Sequence, residues 1–575
     1  MANSPQTQCA VQLVGSDELV LNTSKEIVRP GRYQILCQVE AVGLCFSDLK
    51  LLKQFSGHVR KSEIVSGIKQ EILKEIPSYV PGDTPTVPGH ETVVRIAAVG
   101  AGPVRNLGPK DPEGKGSSGA GVENFKPGER YLVQTDYRWL RTAGSNAAFG
   151  YNFEGALAEY VLMDERVITS PEGESMLIPV SQELSASAVA LVEPWACVEN
   201  AYASKERQSI KAAGRMLVVV DTEVGENPLH NLFHRYGRPS QITWVSRSAA
   251  PRGLNVAVKE AASISELKDG NFDDVIYFGS NAETIEPLFA KVAAQGLLNI
   301  VFCGGKLDRD VVTMVGQVHY GGIRIIGTAG TDPLESMENI PETGEIKPGD
   351  KINVIGAGGP MGMMHVIRNI CLGVEGISIF ANDVDETRLA ALSKIAGPLA
   401  EKNGVHLKSY NPAKEQINAA FDYTTLMAPI PELVAASVRS AANRGIINIF
   451  AGIPATVTAR IDLNTYIQKQ LYFIGTSGSV LDDMKRVLAK VESGRLDTNL
   501  CVAAVCGLDG AAEGIRAIEN RLIPGKIVVY PACKGLKLTR LENLQSQIPQ
   551  VAKRMAGGRW NRRAEETLLQ LYQDS

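Results

Sequence analysis

The stretch KINVIGAGGPMGMM, Lys351–Met364, decides how this chain is read. An apolar run meets a cluster of glycines and then a helical pattern. This strand–turn–helix order is the one that cradles a dinucleotide pyrophosphate. Gly356, Gly358, Gly359 and Gly362 let backbone N–H groups approach an anion. Pro360 and Met361 open a helix whose N-terminus favours negative charge. The spacing is G-x-G-x-x-x-G, one residue off the usual fingerprint, so context has to support it. Asp383 does so. It ends the next predicted strand, ISIFAND, 21 residues after Gly362. A carboxylate there would hold the ribose hydroxyls, which favours NAD and disfavours the extra phosphate of NADP. The competing local role for Asp383 is to cap the helix that begins DETRLAAL.

Outward from this loop the sequence repeats itself. AAGRMLVVVD (Ala212–Asp221) aligns with KPGDKINVIG (Lys347–Gly356), and ITWVSRS (Ile242–Ser248) with ISIFAND (Ile377–Asp383), both at an offset of 135. FDDVIYFGS aligns with FDYTTLMAP, and QGLLNIVF with RGIINIFA, at 149; IIGTAG aligns with FIGTSG at 148. Two units are too few for a solenoid, so an α/β domain duplicated in tandem is expected. In the first copy the glycine loop is replaced by Asp221, Thr222, Glu223, Val224, Gly225, Glu226 and Asn227, and Ser248 stands where Asp383 does. Three carboxylates would face the pyrophosphate. The first copy is therefore expected to be degenerate, a structural or oligomerisation module.

Composition narrows the class. At 575 residues the chain is too long for one core. It is 44% hydrophobic and 21% charged with net charge −4, so nothing favours nucleic acid or membrane binding. No apolar run could span a bilayer, MANSPQTQCA is not a signal peptide, and the nine cysteines include no CxxC. A cytoplasmic protein with reduced thiols is expected.

Before the repeat, about 200 residues read as short strands between Gly/Pro turns: YQILCQVEAVG, ETVVRIAAVGAG, RYLVQTD and ALAEYVLM. Two stretches interrupt them. Lys61–Tyr79 spaces Ile64, Ile68, Ile72 and Ile76 four apart, which predicts an amphipathic helix. Gly108–Gly121 reads as a mobile loop. Three motifs carry chemistry: AVGLCFSDLK with Cys45, Ser47 and Asp48; VPGHE with His90 and Glu91; and LVEPWACVENAY with Glu193. Singly each has a bland explanation: a buried cysteine, a turn serine, a capping acid.

In succession, with FKPGERYLV, EGALAEYVLM and the closing GKIVVYP, they resemble the medium-chain dehydrogenase/reductase family in its zinc-dependent alcohol and polyol dehydrogenase branch. The resemblance covers roughly residues 10–205 and 345–535. It implies a GroES-like β-barrel catalytic domain over 1–205 and 479–535. A degenerate Rossmann-like domain would span 206–335, an NAD-binding Rossmann domain 336–478, and an added helical tail 536–575. By the same resemblance the ligands of one catalytic zinc fall on Cys45, His90 and Glu193, with Cys197 a rival. Thiolate, imidazole and carboxylate suit zinc and leave a fourth position open. Ser47 would begin the proton relay, Asp48 would orient His90, and Glu91 would bind the metal directly or through water. The four cysteines of the family's structural zinc are missing between Ala101 and Tyr131, so that site is absent.

The leading expectation is a zinc-dependent oxidoreductase moving hydride between NAD(H) and a secondary alcohol or ketone of a polyol, sugar or sugar phosphate. EPWACVENAY and the GPMG turn are similar to the sorbose-1-phosphate reductase subgroup, and Arg138 and Arg141 are candidates for a substrate phosphate. The alternatives are a nucleotide-sensing or scaffolding protein with a residual dehydrogenase fold, and a zinc-free quinone-reductase-like enzyme. The expected partner is a small molecule, with the chain a homodimer or a pseudo-dimeric monomer.

Overall fold

The computed structural model describes residues 6–100, 122–223, 228–476 and 478–573. Gly108–Gly121 and the acidic-loop residues Val224, Gly225, Glu226 and Asn227 lie outside the described residues. The chain divides into two compact units, Met1–Ala196 with Ser479–Ser575, and Cys197–Gly478.

The first unit is organised by an eight-stranded sheet around Gln34–Gly43. This strand pairs antiparallel with Glu91–Val99, Tyr160–Asp164 and Lys526–Val529, so it lies inside the sheet and is buried along most of its length. Its apolar run is what a strand covered on both faces requires. The register sets Gly43 opposite both Glu91 and Val528. Strand ends from the start and the finish of the chain thereby meet at one point.

The predicted amphipathic helix over Lys61–Tyr79 does not form. A short 3-10 turn at Val59–Lys61 and a five-residue helix at Gln70–Lys74 stand there instead, and Ile64 is 72% exposed. The break lies at Gly67, held at φ +91° with the Trp139 carbonyl where a Cβ would be, while Ser66 pairs with Arg141. Neither condition fits a continuous helix.

Residues 536–575 belong to the first unit rather than forming an appendage. Glu565 on the helix Arg562–Gln573 is 4% exposed and accepts hydrogen bonds from the Ala186 and Ser187 amides and the Tyr530 hydroxyl. It caps the helix Ala186–Ala190, just ahead of Glu193. Burial raises its carboxyl above the ordinary range.

The second unit contains two six-stranded parallel sheets of the same order. In the first module that order is Ala257–Glu260, Gln241–Ser246, Arg215–Val220, Phe272–Phe278, Val292–Val301, Arg324–Thr328. In the second it is His406–Tyr410, Ser378–Asn382, Lys351–Ile355, Phe421–Leu426, Ala441–Ile449, Tyr472–Ile474. The protein is thus an α/β fold with a GroES-like β-domain and two tandem Rossmann-like modules. Leu217 and Ile300 of the first module and Ile447 and Phe473 of the second share one contiguous apolar core.

Candidate metal centre and dinucleotide cradle

Strand Gln34–Gly43 ends two residues before the helix Phe46–Gln54, and Cys45 is that helix's N-cap. The Asp48 carboxylate accepts the Cys45 amide at 2.9 Å through one oxygen and faces His90 Nδ1 at 3.1 Å through the other. With Nδ1–H donating to Asp48, the lone pair of His90 lies on Nε2, 3.1 Å from Ser47 Oγ. Burial opposes protonation of His90, but Tyr151, Asp48 and Cys45 outweigh it and hold the imidazole well above its ordinary range. A cation is favoured at this point, and a metal ion would take the proton's place.

Cys45, His90 and Glu91 bring their ligand atoms within 4.8 Å of one another. Among the described residues no other group of three does so. Glu193, 7% exposed on the first turn of the helix Val192–Ala203, is not one of these three, nor is Cys197.

Glu91 is fully buried. Its Oε1 accepts from Lys526 Nζ at 2.5 Å, while Oε2 has no hydrogen-bond partner. Lys526 also donates to the Leu44 carbonyl at 2.7 Å. A Cβ at position 43 would fall 2.1 Å from Glu91 Oε2, so glycine there is what lets the carboxylate lie against the strand end. An unpaired buried carboxylate oxygen beside a thiol and an imidazole fits a divalent metal with a preference for N, S and O ligands. Lys526 is the site residue that sequence reasoning missed. Burial opposes its charge, but Glu91 and Cys45 hold its ammonium above the ordinary lysine range.

Asp48→Asn keeps an acceptor for His90 but turns an N–H donor toward the Cys45 amide. Metal affinity, read as zinc retained against a buffered chelator, is expected to fall about 10- to 100-fold, the usual loss when the group orienting a ligand is changed.

The glycine loop of the second module follows Lys351–Ile355, the central strand at which the sheet order reverses. That is where α/β sheets bind ligands. Gly356 adopts φ +81°. A Cβ on Gly362 would lie 2.4 Å from the Gly356 carbonyl, and one on Gly358 would lie 2.9 Å from Asp383 Oδ2. At Gly359, the N-cap of the helix Pro360–Cys371, a Cβ would meet nothing nearer than 3.8 Å, so the cradle is open there. Asp383 accepts the Gly358 amide at 3.0 Å and the Asp385 amide at 3.1 Å. Asp385, not Asp383, caps the helix Glu386–Lys402.

In the first module Asp221 stands where the second has Gly356. Asp221 accepts from the Tyr277 hydroxyl at 2.9 Å and from Thr284 at 2.7 Å, and Tyr277 also accepts the Asn281 amide.

Residues 31–172, which supply Cys45, Ser47, Asp48, His90 and Glu91, match the alcohol dehydrogenase GroES-like domain. Over those residues the chain is similar to the medium-chain dehydrogenase/reductase family. Over 246 residues, 39% of its length, it is 28% identical to the uncharacterized protein YggP of Escherichia coli K12. Over 242 residues, 40% of its length, it is 24% identical to L-sorbose 1-phosphate reductase of Klebsiella pneumoniae. Each match spans 57% of that relative. The structure of 2R,3R-butanediol dehydrogenase from Bacillus subtilis shares the fold, with a TM-score of 0.51 at 16% identity, covering 91% of this chain and 100% of that one. Among the described residues no helix is long and apolar enough to cross a membrane.

Proposed function

We propose that this chain is a zinc-dependent oxidoreductase that transfers a hydride between NAD(H) and a secondary alcohol or ketone of a polyol, sugar or sugar phosphate. The convergence of Cys45, His90 and Glu91, with one Glu91 oxygen unpartnered, carries the reading. Cys45, His90 and a carboxylate would hold the zinc. The geometry supports Glu91 as that carboxylate, and Glu193 is the acid that the resemblance supplies. A zinc ion held by these residues would supply a Lewis acid for the substrate oxygen.

The protein's own residues handle the proton. Ser47 lies beside His90 and is also hydrogen-bonded to Tyr151, so it would accept a hydrogen bond from the substrate hydroxyl and orient that proton. Burial raises the Tyr151 phenol above its ordinary range. Asp48 fixes the His90 ring and its tautomer. In the second module, Gly356–Gly362 would cradle the pyrophosphate and Asp383 would bind the ribose.

Asp383→Ala should reduce kcat/KM with NAD by about 10- to 100-fold, the worth of hydrogen bonds to a charged acceptor, and should raise the NADP:NAD ratio. An unchanged ratio would exclude the ribose role.

A phosphorylated substrate is supported by the charge near the metal centre. Arg60 and Arg138 share the single carboxylate of Asp136, at 3.3 and 3.4 Å. Arg60 lies 5.3 Å from the Tyr151 ring centroid, and that ring is 5.7 Å from the His90 ring. Arg141 is held by Asn146, whose amide donates to Asp136. The similarity to a sugar-phosphate reductase points the same way. The test is an NAD-reduction screen over polyols, sugars and their phosphates with zinc-loaded protein. Turnover supports the reading; a protein that takes up no zinc when offered it and turns over none of them would favour a scaffold.

A further inference from the structure

The two Rossmann-like modules meet along a surface that repeats itself with a two-fold sense. Val311–Thr313 of the first module pairs antiparallel with Ala459–Ile461 of the second. The partners are Val311 with Ile461, Val312 with Arg460 and Thr313 with Ala459. Along this part of the repeat, equivalent residues are 148 positions apart. Ala459 is therefore the counterpart of Val311, and Ile461 that of Thr313. The counterparts of each paired couple are themselves a pair, which is the signature of an isologous interface.

Other contacts obey the same reciprocity. A Cβ on Gly327 would lie 2.7 Å from Ile467, and one on Gly475 would lie 2.9 Å from His319. Gly475 is the counterpart of Gly327, and His319 that of Ile467. The Leu307 amide donates to Asn464, whose side chain donates back to the Leu307 carbonyl. In the mirror position Gly316, the counterpart of Asn464, packs against Ala455, the counterpart of Leu307. Two chance neighbours would not satisfy three reciprocal relations at one offset.

The interface is apolar and close. Val311, Val318 and Ile325 from one module and Ile461, Ile467 and Phe473 from the other are buried in a single core. The Tyr466 hydroxyl crosses to the Ile325 carbonyl at 2.9 Å. Gly475 leaves no room for a side chain against the backbone of Val318 and His319, and Gly327 none against the Ile467 side chain.

We propose that the first module is a captive partner. It occupies, from within the same chain, the self-complementary face by which the second module would otherwise pair with a second copy of itself. This goes beyond the enzymatic reading and does not depend on it. A structural partner has only to present its outer face, so the first module can set Asp221, bonded to Tyr277, where the second keeps Gly356.

The test is hydrogen exchange on the full chain over a hundredfold range of concentration, alongside its mass by sedimentation. The expected result is the mass of one 575-residue chain, with protection at Val311–Thr313 and Ala459–Ile461 independent of concentration. A two-chain mass, with protection at those strands falling tenfold or more on dilution, would overturn the proposal. It would show that the strands pair between chains.

Discussion

Cys45→Ser is expected to leave a folded protein with little bound zinc and a kcat/KM lowered about 1000-fold or more. The chemical half follows from the ligand atoms. A thiolate is a soft anionic ligand for zinc, whereas a serine hydroxyl stays protonated at neutral pH and donates only a weak neutral oxygen. Polarisation of the substrate oxygen is worth several kcal/mol, and about 4 kcal/mol corresponds to about 1000-fold in rate. The folding half follows from position. Cys45 is half-buried and is the N-cap of Phe46–Gln54, a place where serine is among the preferred residues. The Cys45 amide and its bond to Asp48 are untouched. Metal content, melting temperature and steady-state rates on the same sample separate the two halves. Full activity in a zinc-free variant would rule out the metal mechanism, while a large fall in melting temperature would mean that the cysteine is structural.

How much of this was legible in the sequence depends on how local each feature is. The glycine loop and Asp383 lie on consecutive elements of one module, so spacing alone brought them together. Cys45, Ser47 and Asp48 lie within four residues, and Asp48 reaches His90 as the family resemblance implies. Lys526 was out of reach. Its ion pair with Glu91 joins residues 435 apart, and only the strand register at Gly43 sets them side by side. GKIVVYP was recognisable, but no local pattern says where its lysine points.

Elsewhere sequence patterns misled for physical reasons. The four-residue isoleucine spacing after Lys61 predicted a helix, yet Gly67 within it was the warning, because its positive φ and the pairing of Ser66 divert the chain. The stretch RRAEETLLQLY was expected only as part of an added helical tail. Glu565 is buried because it caps another helix, a tertiary role invisible to periodicity. The offset of 148, by contrast, was readable before any coordinates, and it turns a strand pairing into a symmetry argument.

Lys526→Met should destabilise metal-free protein by about 3–5 kcal/mol, the cost of leaving one partner of a buried ion pair alone. Methionine fills most of the lysine stem, so the loss is electrostatic and not a cavity. In the wild type the Lys526 ammonium is held above its ordinary range, so its contribution is complete below the unfolded lysine value and is lost only as pH rises through the folded one. The wild-type contribution is therefore flat between about pH 6 and 9. In the variant, Glu91 is a fully buried carboxylate with no cation, and its folded value rises. A raised acid binds more protons folded than unfolded, so the variant loses stability as pH climbs from about 4.3. Urea unfolding should thus show a smaller deficit at pH 5 than at pH 8, and a deficit independent of pH would mean that the charge of Glu91 is not what Lys526 answers. Zinc sharpens the test. If Glu91 is a ligand, the metal and Lys526 address the same carboxylate, and zinc must restore more stability to the variant than it adds to the wild type. Equal gains would place the ion away from Glu91 and return the third ligand to Glu193.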